Sequence, residues 1–255
     1  SNFLDRMGKH YSRLDELKIN YFWPKVKGLT NNKVFIENII VELVPGKFGS
    51  ELYYTIDGND PTKNSPLYKT PISLTETTLL KVREYSYDGN YSKVYKANYI
   101  KESLRKPISI KAQKKGLKYL YFEPTQQIKS TIELENLKPT KKGEIENIVF
   151  PLKDDLLPEQ FGMIYKGYIE IPSDGVYTFS LLSNDGSHLY VGDKLVVDND
   201  GLHGAYEKDG EIALQKGLHK IKVLYFQAGG GKELKVAIKS NNLERTEISK
   251  DILSH

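Results

Sequence analysis

The 255-residue chain has no cysteine, which excludes zinc–thiolate sites, catalytic thiols and disulfides. The lack of disulfides leaves export open. No apolar run approaches the roughly 20 residues that span a bilayer. No signal peptide is visible, and Ser1-Asn2 read as the scar of a cleaved purification tag, so the natural start is expected elsewhere. Neither sign of charge dominates: 37 Lys and Arg face 33 Asp and Glu, for a formal charge of +4. No basic run is interleaved with aromatics, so the electrostatic footprint of a nucleic-acid partner is missing. What is present is a folding composition, with 39% hydrophobic and 27% charged residues. The 18 tyrosines outnumber nine phenylalanines, a bias that suits strands.

Residues 3–20 carry the helical pattern. Leu4, Met7, Tyr11, Leu14 and Leu17 recur at spacings of three and four, with charged residues between them. Residues 29–100 then read as a small β domain. Its strand-like runs are Val34–Ile36, Ile39–Leu43, Leu52–Ile56, Ile72–Leu74 and Thr78–Tyr85, separated by Pro45-Gly46, Asp57–Pro61 and Asp88–Asn90. The polar stretch 101–107 is the expected boundary. Beyond it come an aromatic run at Leu117–Glu123, an expected exposed loop to Lys142, and further strand-like runs from Phe161 to Ile238. The consecutive Val223-Leu224-Tyr225-Phe226 predicts a strand buried on both faces. The expected fold is all-β: two β-sandwich domains preceded by a short N-terminal helix, with divisions at 1–28, 29–106 and 107–255.

Two turns stand out between Gly175 and Gly201. Asn184-Asp185-Gly186 places carboxylate and amide oxygens at one hairpin tip, and Asp198-Asn199-Asp200-Gly201 makes a second, followed by His203. Sugars are held by such planar hydrogen-bonding groups beside an aromatic face. Tyr206, expected on a loop, is the best platform, while Tyr190 and Tyr225 read as strand or core residues. The candidate carbohydrate-binding set is therefore Asn184, Asp185, Asp198, Asn199, Asp200, His203 and Tyr206. The same residues also read as ordinary turns. No Ser/His/Asp order, phosphate loop or histidine cluster stands out, so no catalytic residue is assigned.

Three stretches resemble known families. Arg13–Pro24, with Arg13-Leu14-Asp15, Leu17 and Ile19-Asn20-Tyr21, resembles the last helix of the catalytic barrel in family-20 β-N-acetylhexosaminidases. Tyr53–Thr62, with Ser65-Pro66-Leu67-Tyr68 and Pro71-Ile72, resembles the fibronectin-III-associated or chitobiase C-terminal-like domain. Gly167-Tyr168-Ile169, Gly175–Phe179, Ser183–Gly192, Val197–Gly201, Gly217–His219 and Tyr225-Phe226 resemble, in order, the PA14 domain. Together the resemblances imply the C-terminal accessory region of a bacterial β-N-acetylhexosaminidase. Its partners would be N-acetylhexosamine-bearing glycans and an upstream barrel, in the periplasm or outside the cell. Family-20 enzymes use an Asp-Glu pair with the substrate's acetamido group as nucleophile. Here Asp15-Glu16 lies on the helix, as a solvated face, so no catalysis is expected of this chain alone. In lectin-type PA14 members two successive aspartates, joined by a cis peptide, hold calcium. Asn184 and Asp185 match that pair as the implied metal ligands, but one charge is lost at Asn184, which weakens a calcium site. The alternative to glycan binding is a spacer that packs on the barrel.

Overall fold

The computed structural model describes residues 3–17, 23–87, 89–110, 114–153 and 156–255. The side chains of Leu4, Asp5, Ser12 and Asp15 lie outside that description, as do residues 18–22 of the barrel-like stretch and Asp88 of the predicted turn. The chain forms two units, 1–102 and 103–255. Among the described residues no helix is long and apolar enough to cross a membrane.

The first unit contains α1 (Phe3–Glu16), β1 (Lys33–Phe35), β2 (Ile39–Val41), β3 (Glu51–Thr55), β4 (Ile72–Leu74), β5 (Thr78–Tyr85) and β6 (Tyr95–Lys101). Sheet order is β1-β6-β5-β3, faced by the pair β2-β4. Alternation drives the layering: Leu80, Val82, Ala97 and Tyr99 turn inward against Val41, Leu43, Ile72 and Leu74. The strand β6 shows no clear apolar run, because Lys96 and Asn98 alternate with only Ala97 and Tyr99 between them. On α1, Met7, Tyr11 and Leu14 are half-buried, while Glu16 and Leu17 are exposed.

This unit hides a charged hub. Glu84 shares the inward parity of Leu80 and Val82 and is fully buried. Its Oε1 accepts from Lys47 N at 2.6 Å and from Ser50 Oγ; its Oε2 accepts from Trp23 Nε1 at 3.0 Å and Gly46 N at 3.2 Å. The buried Lys47 ammonium lies 5.1 Å from the Trp23 ring centroid and 5.7 Å from that of Tyr11, and donates to Ser86 Oγ at 3.3 Å. Buried charges persist only where every lone pair and proton is met in this way.

The second unit contains β7 (Leu117–Phe122), a 3-10 helix (Thr131–Asn136), β8 (Lys141–Ile145), β9 (Phe161–Ile171), β10 (Gly175–Asn184), β11 (Ser187–Val191), β12 (Lys194–Asn199), β13 (Tyr206–Leu214), β14 (Gly217–Gln227), β15 (Glu233–Ser240), β16 (Leu243–Glu247) and β17 (Leu253–Ser254). One sheet runs β12-β11-β14-β9-β7-β8, with β17 also on β9; the other runs β13-β10-β15-β16. The two close over one core, in which Phe161, Met163, Tyr165, Val223 and Tyr225 meet Tyr177, Phe179, Leu181, Val236 and Ile238.

The larger sheet has a second, smaller apolar layer. Ile164, Leu224 and Phe226 point outward yet are buried beneath Ile128 and Leu134. The segment expected as an exposed loop thus covers half of the sheet's outer face. It does so because Ser130 starts the 3-10 helix with a capping box: its side chain accepts from Ile132 N, and Glu133 reaches back to Ser130 N. Gly162 makes room for this lid, since a Cβ there would lie 2.2 Å from Leu134 Cδ2.

Candidate functional site

The strands β10 and β11 are joined by Asp185-Gly186, β12 runs into the 200–205 loop, and β14 into Ala228–Lys232. These three connections share one end of the sandwich, and Asp185 ties them together. Its carboxylate is 7% exposed; Oδ1 accepts from His203 N at 3.2 Å and Oδ2 from Ala228 N at 2.8 Å. Gly186 is held between them, and its carbonyl accepts from Phe226 N at 2.9 Å. A Cβ on Gly186 would lie 2.3 Å from Phe226 Cε1 and 2.6 Å from Asp200 Oδ1. Gly186→Ala is therefore expected to destabilise the second unit by about 1–3 kcal/mol, through overpacking against a rigid ring. A thermal melt checks this; an unchanged midpoint would contradict it.

The remaining predicted residues divide by position. Asn199 is fully buried; its Nδ2 donates to Ser183 Oγ and Tyr206 O, each at 3.1 Å, and its Oδ1 has no hydrogen-bond partner among the described residues. It braces the tip from below. Asp200 faces the lid: Oδ2 accepts from Ser130 Oγ at 2.5 Å and Oδ1 from Thr131 N at 2.9 Å. Asp198 lies beside His188, with Oδ1 3.2 Å from Nε2, while His188 Nδ1 is 2.6 Å from Thr131 Oγ1. Thr131 is fully buried, so the Thr–His–Asp chain is a brace between lid and hairpin and offers no accessible nucleophile.

The structure brings the other residues to one rim. Tyr206 is the first residue of β13 and not a loop residue, and it is 40% exposed. The rings of His203 and Tyr206 are 4.2 Å apart, and Leu202 beside them is exposed. The His203 ring is held by carbonyls, Gly204 O at 2.9 Å from Nδ1 and Asn199 O at 3.0 Å from Nε2. Asn184 is half-buried, next to Gly231. Gln227 completes the frame: it accepts from Tyr225 Oη at 2.5 Å and donates to Gly229 O at 2.6 Å. Gly229 and Gly230 have φ of 142° and 80°, conformations that favour glycine. Gln227 went unnoticed in the sequence, although a buried glutamine just before three glycines is a signal for a pinned loop. Tyr225 is fully buried in the core, and Tyr190 is half-buried on the outer sheet face.

Calcium takes six to eight oxygen ligands. Here the rim supplies one carboxylate, already accepting through both oxygens, and the amides of Asn184 and the deeply buried Asn199. No group of three or more His, Cys, Asp or Glu among the described residues is placed to hold a metal ion. The donor set does not fit a resident calcium, so no role is derived through one.

A two-sheet antiparallel sandwich with a polar rim built from three loops defines a class of small β-sandwich modules. The chain belongs to the PA14 domain family, whose model matches residues 113–251, over half its length. A second family model, Fn3 associated, matches residues 41–99. The chain is 27% identical over 241 residues to a Beta-hexosaminidase of Porphyromonas gingivalis (strain ATCC BAA-308 / W83), an alignment that covers 89% of this chain and 30% of that protein. The chain thus spans less than a third of that relative's length. Among solved structures, the PA14 sugar-binding domain from an RTX adhesin is 19% identical with a TM-score of 0.49, covering 56% of this chain and 99% of that one. The epithelial adhesin 9 A domain from Candida glabrata, in complex with Galb1-3GlcNAc, is 14% identical with a TM-score of 0.43, covering 55% and 88%.

Proposed function

We propose that this chain is a non-catalytic accessory region of a β-N-acetylhexosaminidase and that its second unit binds carbohydrate at the three-loop rim. The likeness to the Beta-hexosaminidase over 89% of the chain supports the parent activity. The observation that carries the binding reading is the paired His203 and Tyr206 rings beside Asn184 and the glycine loop, all registered by Asp185. The Tyr206 face offers a sugar ring an apolar platform, and the Asn184 amide offers both a donor and an acceptor to hydroxyl or acetamido groups. Asp185, Asn199 and Asp200 act beneath that surface by fixing its loops, and Asp198 fixes the hairpin edge. Calcium at Asn184 and Asp185, the implied alternative, predicts binding that a chelator abolishes. In the intact enzyme the module would hold glycan near an upstream barrel and raise its effective concentration there. A periplasmic or extracellular location goes with that role.

Calorimetric titration with N-acetylglucosamine and N-acetylgalactosamine oligosaccharides tests the proposal. Tyr206→Ala is expected to weaken binding about tenfold, the loss of one aromatic contact. Equal affinity in that variant would remove the platform from the account. Absence of binding to any of these glycans would favour a spacer that packs on the barrel.

A further inference from the structure

The lid covers only half of the outer face of the larger sheet, and the bare half carries a row of like charges. Lys118 on β7 is the direct cross-strand partner of Lys166 on β9, which is the partner of Lys222 on β14, and Lys222 in turn faces Tyr190 on β11. All point away from the core, because the neighbours Leu117, Tyr165 and Val223 point into it. One step along the strands, Lys220 is paired with Tyr168. These residues, with Gly167, Gly192 and His255, line a groove of about 380 Å³. A second hollow of about 350 Å³, lined by Arg105 and Lys106, continues it through the shared Gly192 and Lys220.

Like charges directly opposite on adjacent strands are destabilising, so the row costs the fold stability. Lys222 is relieved by Glu135 at 2.9 Å and lies 4.4 Å from the Tyr190 ring centroid. Lys166 and Lys220 form no ion pair among the described residues, and Lys118 forms none within 4 Å but is the direct cross-strand partner of Glu144 on β8. The His255 ring lines the same groove with its side chain 5% exposed; Nε2 is 3.3 Å from Glu144 Oε1, and neither ring nitrogen has a hydrogen-bond partner among the described residues. Two ammonium groups with no facing carboxylate, Lys166 and Lys220, thus stand with Lys118 and Lys222 on one concave strip.

From this convergence we infer that the strip binds a single chain of an anionic polysaccharide, one bearing carboxylate or sulfate groups. Its dimensions select that class. Adjacent strands are about 4.8 Å apart, so the three lysines span about 10 Å. Glu135 closes one end of the row and Glu144, held by Lys114 at 3.1 Å, closes the other. A duplex nucleic acid or a membrane surface would press those carboxylates against its own negative charge. A membrane would also need exposed apolar side chains to insert, and the lining offers only the half-buried Tyr168, since Ile221 is buried in the core. The half-buried Tyr168 supplies a face for a sugar ring instead. This site is separate from the three-loop rim and does not rest on the rim's function.

The test is titration of the full chain with a galacturonic acid hexasaccharide, which carries carboxylates and no N-acetylhexosamine for the rim to hold. Binding is expected, and it should weaken as salt rises. Lys118→Ala/Lys166→Ala should weaken it at least tenfold, while Asp185→Ala leaves it unchanged. In the free protein Lys166→Ala should raise the melting temperature by about 1–3 °C, because repulsion is relieved. Circular dichroism of each variant confirms the fold. The inference is overturned if the double variant binds as well as the parent, or if Asp185→Ala loses the hexasaccharide too. It is also overturned if an oligonucleotide of equal charge, or phosphatidylglycerol vesicles, bind as tightly.

Discussion

Glu84→Ala is expected to cost the first unit about 3–5 kcal/mol, the penalty for removing one side of a buried, hydrogen-bonded charge constellation. Four donors converge on this carboxylate, and alanine would leave Trp23 Nε1, Gly46 N and Lys47 N without their acceptor, while Ser50 Oγ keeps Lys47 O. A unit of this size has a stability of roughly 5–15 kcal/mol, so the variant approaches the unfolding threshold. At about 4–8 °C per kcal/mol, the melting temperature should fall by tens of degrees. Trp23 is the chain's single tryptophan, so its fluorescence reports this unit alone. Glu84→Gln should fall between, since an amide oxygen still accepts while its NH2 group meets donors. A shift of only a few degrees in the alanine variant would contradict the hub.

Asp185→Ala is expected to abolish glycan binding at the rim while the sandwich stays folded. The carboxylate spans two loops, and without it the His203 and Ala228 amides lose their acceptor in a buried setting, at about 1–3 kcal/mol each. The Tyr206–His203 pair would then lose its fixed position against Asn184 and Gly229–Gly231. A loss of binding of a hundredfold or more follows if the loops must be ordered again on each encounter. Asp185→Asn keeps one acceptor and turns an N–H donor toward the other amide, so it should be intermediate. Chelator treatment of the parent protein separates loop anchoring from metal binding: affinity should persist, since Asp185 already uses both oxygens. Loss of affinity on chelation would return calcium to the site.

Much of the architecture was readable from period-two alternation and turn chemistry. Thr78–Tyr85, Phe161–Ile171 and Gly175–Asn184 declare themselves as strands, and the Val223–Phe226 run signalled burial on both faces. Glu84 went unmarked: it falls in step with Leu80 and Val82, but a carboxylate at an inward position makes sense only once its donors are known. What covers Leu224 and Phe226 was not readable, because segment 123–140 is polar in composition and packs through only Ile128 and Leu134. The lysine row was equally hidden. Lys118, Lys166 and Lys222 are far apart in the chain, and only the register of three strands brings them into line. At the rim, the structure places the Asp185 tip beside His203, and Tyr206 beside His203. Sequence could not sort groups that face outward, such as Tyr206, from groups spent on bracing, such as Asn199 and Asp200. That distinction depends on which backbone amides and lid residues lie within 3 Å.

Backbone amide chemical shifts recorded during titration with N-acetylhexosamine oligosaccharides test the binding account most directly. It predicts saturable shifts clustered at Asn184, His203, Tyr206 and Gly229–Gly231, absent in Asp185→Ala. No shifts at any of these residues at millimolar glycan, with the parent protein folded, would contradict it.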